Sequence, residues 1–231
     1  MHQFNKFSET DAMSVLVNDN YRVLLVMSRF GIGLGFGDSN IGEVCLKSGV
    51  DVKTFLAVVN LLMDENSAEH LEADISIESV LTYLHNSHEY FLGFRLPEIR
   101  NKLVQVIGRN DNLSKAIVSY FDEYIGEVHK HMEYEEKVVF PYVRKLIDGK
   151  KAIGYHIDVF EKRHNQVEAR LTEFKDILIR FYPSRSTNEL NSVLFDIFNC
   201  EKDLASHNEV EDRILVPTVA KLESFRNSAN E

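Results

Sequence analysis

The sequence predicts an all-α protein in which a small helical domain precedes an antiparallel, up-down-up-down four-helix bundle. The 231 residues include only four prolines and eleven glycines, a composition that suits helices better than strand-rich folds. From Ile75 onward, apolar residues recur at alternating steps of three and four, which is the spacing of one helix face. Turns predicted near residues 109–112, 148–151 and 183–187 are short enough to make neighbouring helices antiparallel.

Charge and hydropathy exclude several classes of partner. The formal net charge is −10, so the chain repels phosphate backbones and nucleic acid is not an expected partner. The apolar run VLLVM is interrupted by Arg29 before it reaches membrane-spanning length, and the opening MHQFNKFSET lacks the apolar core of a signal peptide. We therefore expect no membrane partner and a cytoplasmic location.

Cysteine usage limits the kind of metal site that the chain can build. Cys45 and Cys200 are the only cysteines, and they lie far apart in the sequence. Two separate small apolar thiols in helices are predicted here rather than a disulfide or a thiolate metal site. Any metal chemistry must therefore use histidine and carboxylate side chains.

The chain is predicted to contain two modules, a small helical N-terminal domain at residues 1–72 and a bundle at residues 73–231. The charged segment 64–74 marks the boundary. In the first module, GIGLGFG predicts a glycine-rich turn and Asp38-Ser39-Asn40 a helix start. The glycine spacing does not match G-x-G-x-x-G, and no alternation of strands and helices surrounds it, so a nucleotide-binding loop is not predicted.

Four helical segments of the second module carry the apolar stripe. The first runs from Leu81 to Leu103, with Pro97 expected to kink it. The others run from Ile117 to Tyr142, from Ile153 to Leu178 and from Leu190 to Thr218. Histidine and glutamate occupy positions in these stripes where a core needs apolar groups. Because burying such groups without partners is costly, the pattern predicts that they bind something.

Two of the segments share an eleven-residue pattern. HMEYEEKVVFP, at residues 131–141, aligns without gaps with HNEVEDRILVP, at residues 207–217. In each, a glutamate follows the histidine by four residues and so lies on the same helix face. A weaker match relates His85-Asn86 to His164-Asn165 in the preceding helices. The repeat predicts two helix hairpins related by a pseudo-two-fold axis, each supplying one histidine from one helix and a histidine with a glutamate from the other.

The repeat predicts a metal site with six protein ligands, which are His85, His131, Glu135, His164, His207 and Glu211. Nitrogen and oxygen donors without thiolate suit iron, and carboxylates can bridge two ions. The predicted cofactor is therefore two iron ions with carboxylate and oxo or hydroxo bridges, leaving room for dioxygen or nitric oxide. His88 lies on the same loose stripe as His85 and is an alternative to it. Glu89 and Glu168 follow histidines by four residues, and whether they join the site stays open.

At these residues the chain resembles hemerythrin-like HHE cation-binding domains and, more specifically, the Repair of Iron Centres family of di-iron proteins. The segments that carry the resemblance are YLHNSHEYF, HMEYEEKVVFP, FEKRHNQVEARL and HNEVEDRILVP, together with the preceding helical module. The resemblance implies the same six ligands. It also implies a protein of nitrosative or oxidative stress that helps to restore iron–sulfur clusters, with iron–sulfur proteins as clients and no organic substrate.

Two features depart from the family's pattern. The family typically has two adjacent cysteines before its glycines, where this chain has Gly35-Phe36, and Arg163 precedes His164 where an acid is common. The missing thiols favour an alternative function, a sensor that binds dioxygen or nitric oxide and signals to a partner. The two-module layout favours repair. An oxidase or peroxidase is a third class, but the sequence predicts no substrate pocket for it.

Overall fold

The computed structural model describes residues 7–63, 74–107, 111–150, 155–157, 160, 165–183 and 188–228. All helices and turns in these ranges build an all-α protein, as predicted. The described ranges contain no β-strand, only an isolated bridge between Ala12 and Asn40. The fold class inferred from composition and apolar spacing is therefore confirmed.

The helices follow one another along the chain with short connections. The N-terminal helices are α1 (Met13–Asp19), α2 (Val23–Arg29), α3 (Ile41–Ser48) and α4 (Val52–Met63). The later helices are α5 (Ile77–Tyr90), α6 (Leu96–Ile107), α7 (Asn112–Tyr134), α8 (Phe140–Ile147), α9 (Asn165–Phe181), α10 (Asn188–Val210) and α11 (Val216–Ser228).

Three π-helical segments join six of these helices into long runs. Phe91–Arg95 joins α5 to α6, Glu135–Val139 joins α7 to α8, and Glu211–Leu215 joins α10 to α11. The resulting runs span 77–107, 112–147 and 188–228, and with α9 they are the four helices predicted for the bundle. In the described part of the chain, no helix combines the length and the apolarity needed to cross a membrane.

A proline accounts for each π segment. Pro97, Pro141 and Pro217 each lie two residues after such a segment ends. Proline lacks an N–H, and its ring collides with the carbonyl four residues earlier in an α-helix. Here the helix widens instead of breaking: the N–H of Leu96 donates to the carbonyl of Phe91, and the same five-residue bond closes the other two segments. The predicted effect of Pro97 on the first helix thus takes the form of a π segment.

The predicted third segment is not helical over its whole length. Its apolar spacing predicts helix from Ile153, but Ile157 is in a 3₁₀ conformation, Phe160 lies in a turn, and α9 begins at Asn165. Both apolar residues are nevertheless buried, and the N–H of Ile157 donates to the Glu223 carboxylate at 3.1 Å. The spacing reports burial, and a buried turn held by a side chain of α11 gives the same spacing as a helix.

The chain forms two compact units. The first comprises the described residues of Met1–Ser87, Val143–Asp158 and Glu209–Glu231, and the second those of His88–Tyr142 and Val159–Asn208. The predicted boundary between residues 72 and 73 lies outside the described residues, so that division stays a prediction.

The second unit has a core to which all four bundle helices contribute. Apolar residues from 91–107, 117–132, 171–178 and 193–204 pack together there. The ring of Phe121 is fully buried and lies 5.0 Å from that of Phe174, between centroids. Ion pairs at the edge of this core tie neighbouring helices together; the clearest joins Lys102 to Asp196 at 2.8 Å. Packing of all four helices against a shared apolar interior defines the bundle.

In the first unit, the N-terminal helices pack against the beginning of α5. The rings of Phe30 and Tyr83 lie 5.0 Å apart, and the side chain of Asn86 donates to the carbonyl of Arg29 at 2.7 Å. Asn40 caps α3 in a capping box with Glu43, which confirms the predicted helix start. These contacts give the short N-terminal helices a tertiary setting that they could not supply alone.

Two other predicted features of this region are also present. The glycine-rich segment forms a turn, and Gly35 has a φ of 90°, a conformation that other residues rarely adopt. Cys45 in α3 and Cys200 in α10 are both buried free thiols, as predicted. Burial raises the pKa of the Cys45 thiol to about 11, and the nearby Asp51 carboxylate acts in the same direction.

Candidate metal centre

Four metal-ligating side chains lie together inside the protein. His88, Glu135, His207 and Glu211 each offer an atom that lies within 4.8 Å of the others, and we call these residues the ligand group. The imidazole of His88 is 3% exposed and the other three residues are 0% exposed. Glu211 follows His207 by one helical turn along the same run. Burial of two carboxylates and two imidazoles at one place is costly unless something offsets the charge.

The carboxylate of Glu135 contacts two imidazoles. Its Oε2 atom lies 2.8 Å from Nε2 of His88, and its Oε1 atom lies 2.8 Å from Nε2 of His131. The two contacts involve different oxygens of one carboxylate, so the third imidazole extends the ligand group on the opposite side of Glu135. Five donors predicted or discussed from sequence are thereby connected through direct contacts or close spacing.

Aromatic rings surround the imidazoles. His88 stacks on Phe140 with ring centroids 5.5 Å apart and meets His207 edge-on at 5.2 Å. Phe91 meets His207 edge-on at 5.9 Å, and His131 stacks with Phe160 at 6.5 Å. Rings of this kind exclude water, so electrostatic attraction between the donors and a cation would be stronger here than at the protein surface.

The two halves of the predicted repeat have the same local structure. Glu135 and Glu211 are each the first residue of a π segment, and each segment is followed by a proline at the matching position. The surface pairs also match, because Lys137 bonds to Glu133 just as Arg213 bonds to Glu209. π segments within α-helices are frequent at functional sites, and here the repeat places one beside each buried glutamate.

The structure brings His88 into the ligand group, while His85 lies exposed on the same helix. The side chains of Leu84, His88 and Phe91 form the buried stripe at this point, and His85 is rotated away from that stripe. The match of His85-Asn86 with His164-Asn165 therefore selected the wrong register for α5. His88 replaces His85 in the set of candidate ligands.

A signal for His88 was present in the sequence. His88 precedes His131 by 43 residues, and His164 precedes His207 by the same interval. Equal intervals are expected if two hairpins have helices of equal length. His164 itself lies outside the described residues, so its place as a ligand stays a prediction.

The structure also places the carboxylates that the sequence left open. Glu89 is exposed on α5, and the side chain of Glu168 lies outside the described residues. Sequence reasoning assigned Glu136 to solvent or to a neighbouring helix, whereas its Oε1 atom lies 2.7 Å from Nδ1 of His88. No periodic signal identifies such a contact, because Glu136 is off the buried stripe of its own helix.

We expect Pro141→Ala to weaken cation binding at the ligand group. Alanine restores an N–H and removes the ring collision, which favours closing the π segment into regular α-helix and rotating Glu135 relative to α8. Regular helix also favours folding, by up to about 3 kcal/mol. A urea titration that shows equal or higher stability, together with weaker iron binding by chelator competition, would support this. Pro183→Ala, beyond the end of α9, is the matched control, and unchanged iron affinity in Pro141→Ala would contradict the expectation.

The donor set fits a metal cation. Imidazole nitrogens and carboxylate oxygens, with no thiolate among the clustered donors of the described residues, suit iron, manganese or zinc in sites of mixed nitrogen and oxygen ligation. The contact from Glu136 to the far nitrogen of His88 is the outer partner that metal-binding histidines usually have. These observations support a buried cation site.

Comparison with protein families agrees with this geometry. The family model of the hemerythrin HHE cation-binding domain matches residues 79–219, a span that contains the whole ligand group and more than half of the 231 residues. Comparison with curated proteins finds no match. By its sequence and by its buried histidine and glutamate residues, the chain belongs to the hemerythrin HHE cation-binding family.

Proposed function

We propose that this protein is a non-haem di-iron protein of nitrosative and oxidative stress, with a role in restoring iron–sulfur clusters. The observation that carries the proposal is the buried ligand group, in which a third imidazole contacts the far oxygen of Glu135. The family match supports cation binding. Iron, the number of ions and the repair role are the proposed steps beyond it.

The proposed ligands are five described residues and His164. The described ones are His88, His131, Glu135, His207 and Glu211. Because each oxygen of Glu135 faces a different imidazole, this residue is suited to bind two ions at once. Iron held there would supply a redox-active Lewis-acidic centre for a small ligand such as nitric oxide or dioxygen.

The cavities described in the structure favour a small ligand over an organic substrate. One cavity of about 600 Å³ is lined by residues from α6 and α10, including Lys102 and Ser192, and one of about 220 Å³ by residues of the glycine-rich turn and α3. Neither of these two is lined by a member of the ligand group. The site is therefore suited to diatomic ligands or to the release of iron.

A sensor of dioxygen or nitric oxide is the alternative function, and one observation favours it. Gly35, at the position where the resembling family has a cysteine, has a φ of 90°. A cysteine would be strained in that conformation, so the turn itself is shaped for glycine. A function that requires a thiol pair at this turn is correspondingly disfavoured.

Paired substitutions on α5 test the cation site. We expect His88→Ala to weaken ferrous iron binding, measured anaerobically by chelator competition, by more than the roughly 10- to 100-fold that loss of an outer ligand partner costs. His85→Ala should bind iron like the unaltered protein, because this side chain is exposed. Equal affinity in both variants, or loss only in His85→Ala, would refute the proposed ligand set.

A second experiment separates repair from sensing. Iron-loaded protein is mixed with an iron–sulfur enzyme whose cluster has been damaged by nitric oxide, and the enzyme's activity is followed against the His88→Ala variant. Reactivation by the unaltered protein alone supports repair. Reversible nitric oxide binding in the absorption spectrum without reactivation supports sensing, and neither outcome in iron-loaded protein would contradict both functions.

A further inference from the structure

Glu136 is a carboxylate outside the ligand group that contacts one of its members. Its Oε1 atom lies 2.7 Å from Nδ1 of His88, the ring nitrogen that faces away from Glu135. The imidazole is 3% exposed, whereas the Glu136 side chain is 30% exposed. The buried ring is therefore held from outside by a residue that reaches inward from the edge of the helix.

This contact determines which nitrogen of His88 carries hydrogen. An ionised carboxylate can only accept a hydrogen bond, so Nδ1 must donate to Glu136. In neutral imidazole the other nitrogen, Nε2, then has a free lone pair. Nε2 is the atom that faces Glu135 at 2.8 Å, so its lone pair points into the ligand group.

The ring's orientation is also restricted on its faces. His88 stacks on Phe140 with an interplanar angle of 7°. A stacked ring can still slide or turn within its plane, and a hydrogen bond in that plane removes this freedom. Phe140 and Glu136 therefore hold the ring in complementary directions.

The neighbouring carboxylate on the same helix has a different role. Glu133 forms an ion pair with Lys137, four residues later, and its side chain is 44% exposed. Because this pair accounts for the nearby lysine at the surface, Glu136 is distinguished by its contact with a buried imidazole. The two residues provide a matched comparison, with the same chemistry on one helix in different environments.

We propose that Glu136 is a positioning residue that fixes the tautomer and the orientation of His88 for cation binding. This inference rests on the proposed cation site. Partners of this kind typically change metal affinity by about 10- to 100-fold. Loss of Glu136 should therefore weaken binding without removing any direct ligand.

The test compares Glu136→Ala, Glu136→Gln and Glu133→Gln in the full-length chain. Ferrous iron affinity is measured anaerobically by chelator competition, and ¹⁵N resonances of histidine are recorded on the metal-free protein. We expect Glu136→Ala to lose about 10- to 100-fold in affinity and to shift His88 towards the tautomer with hydrogen on Nε2. Glu136→Gln retains an acceptor oxygen and should fall between the two, while Glu133→Gln should match the unaltered protein.

The outcomes separate this inference from the proposed function. If His88→Ala loses iron but Glu136→Ala binds it normally with an unchanged tautomer, the positioning role is overturned and the cation site stands. If His88→Ala also binds iron normally, the cation site itself is refuted. Should Glu136→Ala fail to fold, as judged by its circular dichroism, Glu136→Gln decides the question, and normal affinity in that variant with an unchanged tautomer would overturn the role.

Discussion

Glu135→Gln is expected to abolish the stabilisation that iron gives to this protein. Glu135 is fully buried, and its two oxygens contact the imidazoles of His88 and His131 at 2.8 Å each. Glutamine preserves the shape but removes the negative charge and replaces one donor oxygen with an NH₂ group, which cannot bind a cation. At a free iron concentration 100 times the dissociation constant, the unaltered protein gains about 2.7 kcal/mol, and the variant should gain close to none.

Thermal unfolding with and without ferrous iron, under anaerobic conditions, measures this difference. Each variant is compared with its own metal-free form, so any cost of altering a buried ion pair does not enter the result. Glu133→Gln removes an exposed carboxylate from the same helix and should retain the full gain. A normal iron-dependent rise in the melting temperature of Glu135→Gln would show that this residue is not a ligand.

Phe121→Ala is expected to destabilise the bundle by about 3–5 kcal/mol, the usual cost of removing a buried aromatic ring. Phe121 is fully buried in the second unit, with ring centroids 5.9 Å from Tyr124 and 5.0 Å from Phe174. The rings around it lie on long helices and cannot close the space without moving those helices. Such a loss is a large part of the 5–15 kcal/mol by which domains of this kind are usually stable.

Equilibrium unfolding in urea, followed by circular dichroism, tests this expectation. Phe195→Ala is the matched control, because the ring of Phe195 on α10 is 69% exposed and surface substitutions usually change stability by no more than about 0.5 kcal/mol. Equal stability of the two variants would mean that the ring of Phe121 does not contribute to the core as its burial indicates.

Apolar periodicity predicted the bundle well because its helices bury one face over many turns. The stripes around Phe121 in α7 and Ile197 in α10 correspond to buried positions of the core. Periodicity could not distinguish helix from buried turn at Ile157 and Phe160, where only burial is recorded in the pattern. Segments that bury few residues give too short a pattern for the period to be assigned.

The site was predictable to the extent that it repeats. The matching pairs His131 with Glu135 and His207 with Glu211 were found because two copies of one motif reinforce each other. The register of α5 has no such copy nearby, and three residues separate His85 from His88, close to one helical turn. A choice between two residues one turn apart depends on packing around the π segment, which the local sequence does not reveal.

The contact between Glu136 and His88 belongs to a different class of feature. It joins residues 48 positions apart, and its geometry depends on how two helices are rotated towards each other. Spacing along one helix indicates which face a side chain occupies, but not which atom of a neighbouring helix it reaches. Outer partners of metal ligands therefore require a tertiary structure to be recognised.

The raised pKa of Cys45, about 11, bears on the chemical environment proposed for this protein. At neutral pH only about one such thiol in 10⁴ is ionised, and thiolate is the form that peroxides and nitrosating reagents attack most readily. Oxidants that reach the protein would thus meet an inert sulfur in α3. Its reactivity towards them would be concentrated at the histidine and glutamate site, which leaves the N-terminal helices chemically unchanged while that site responds.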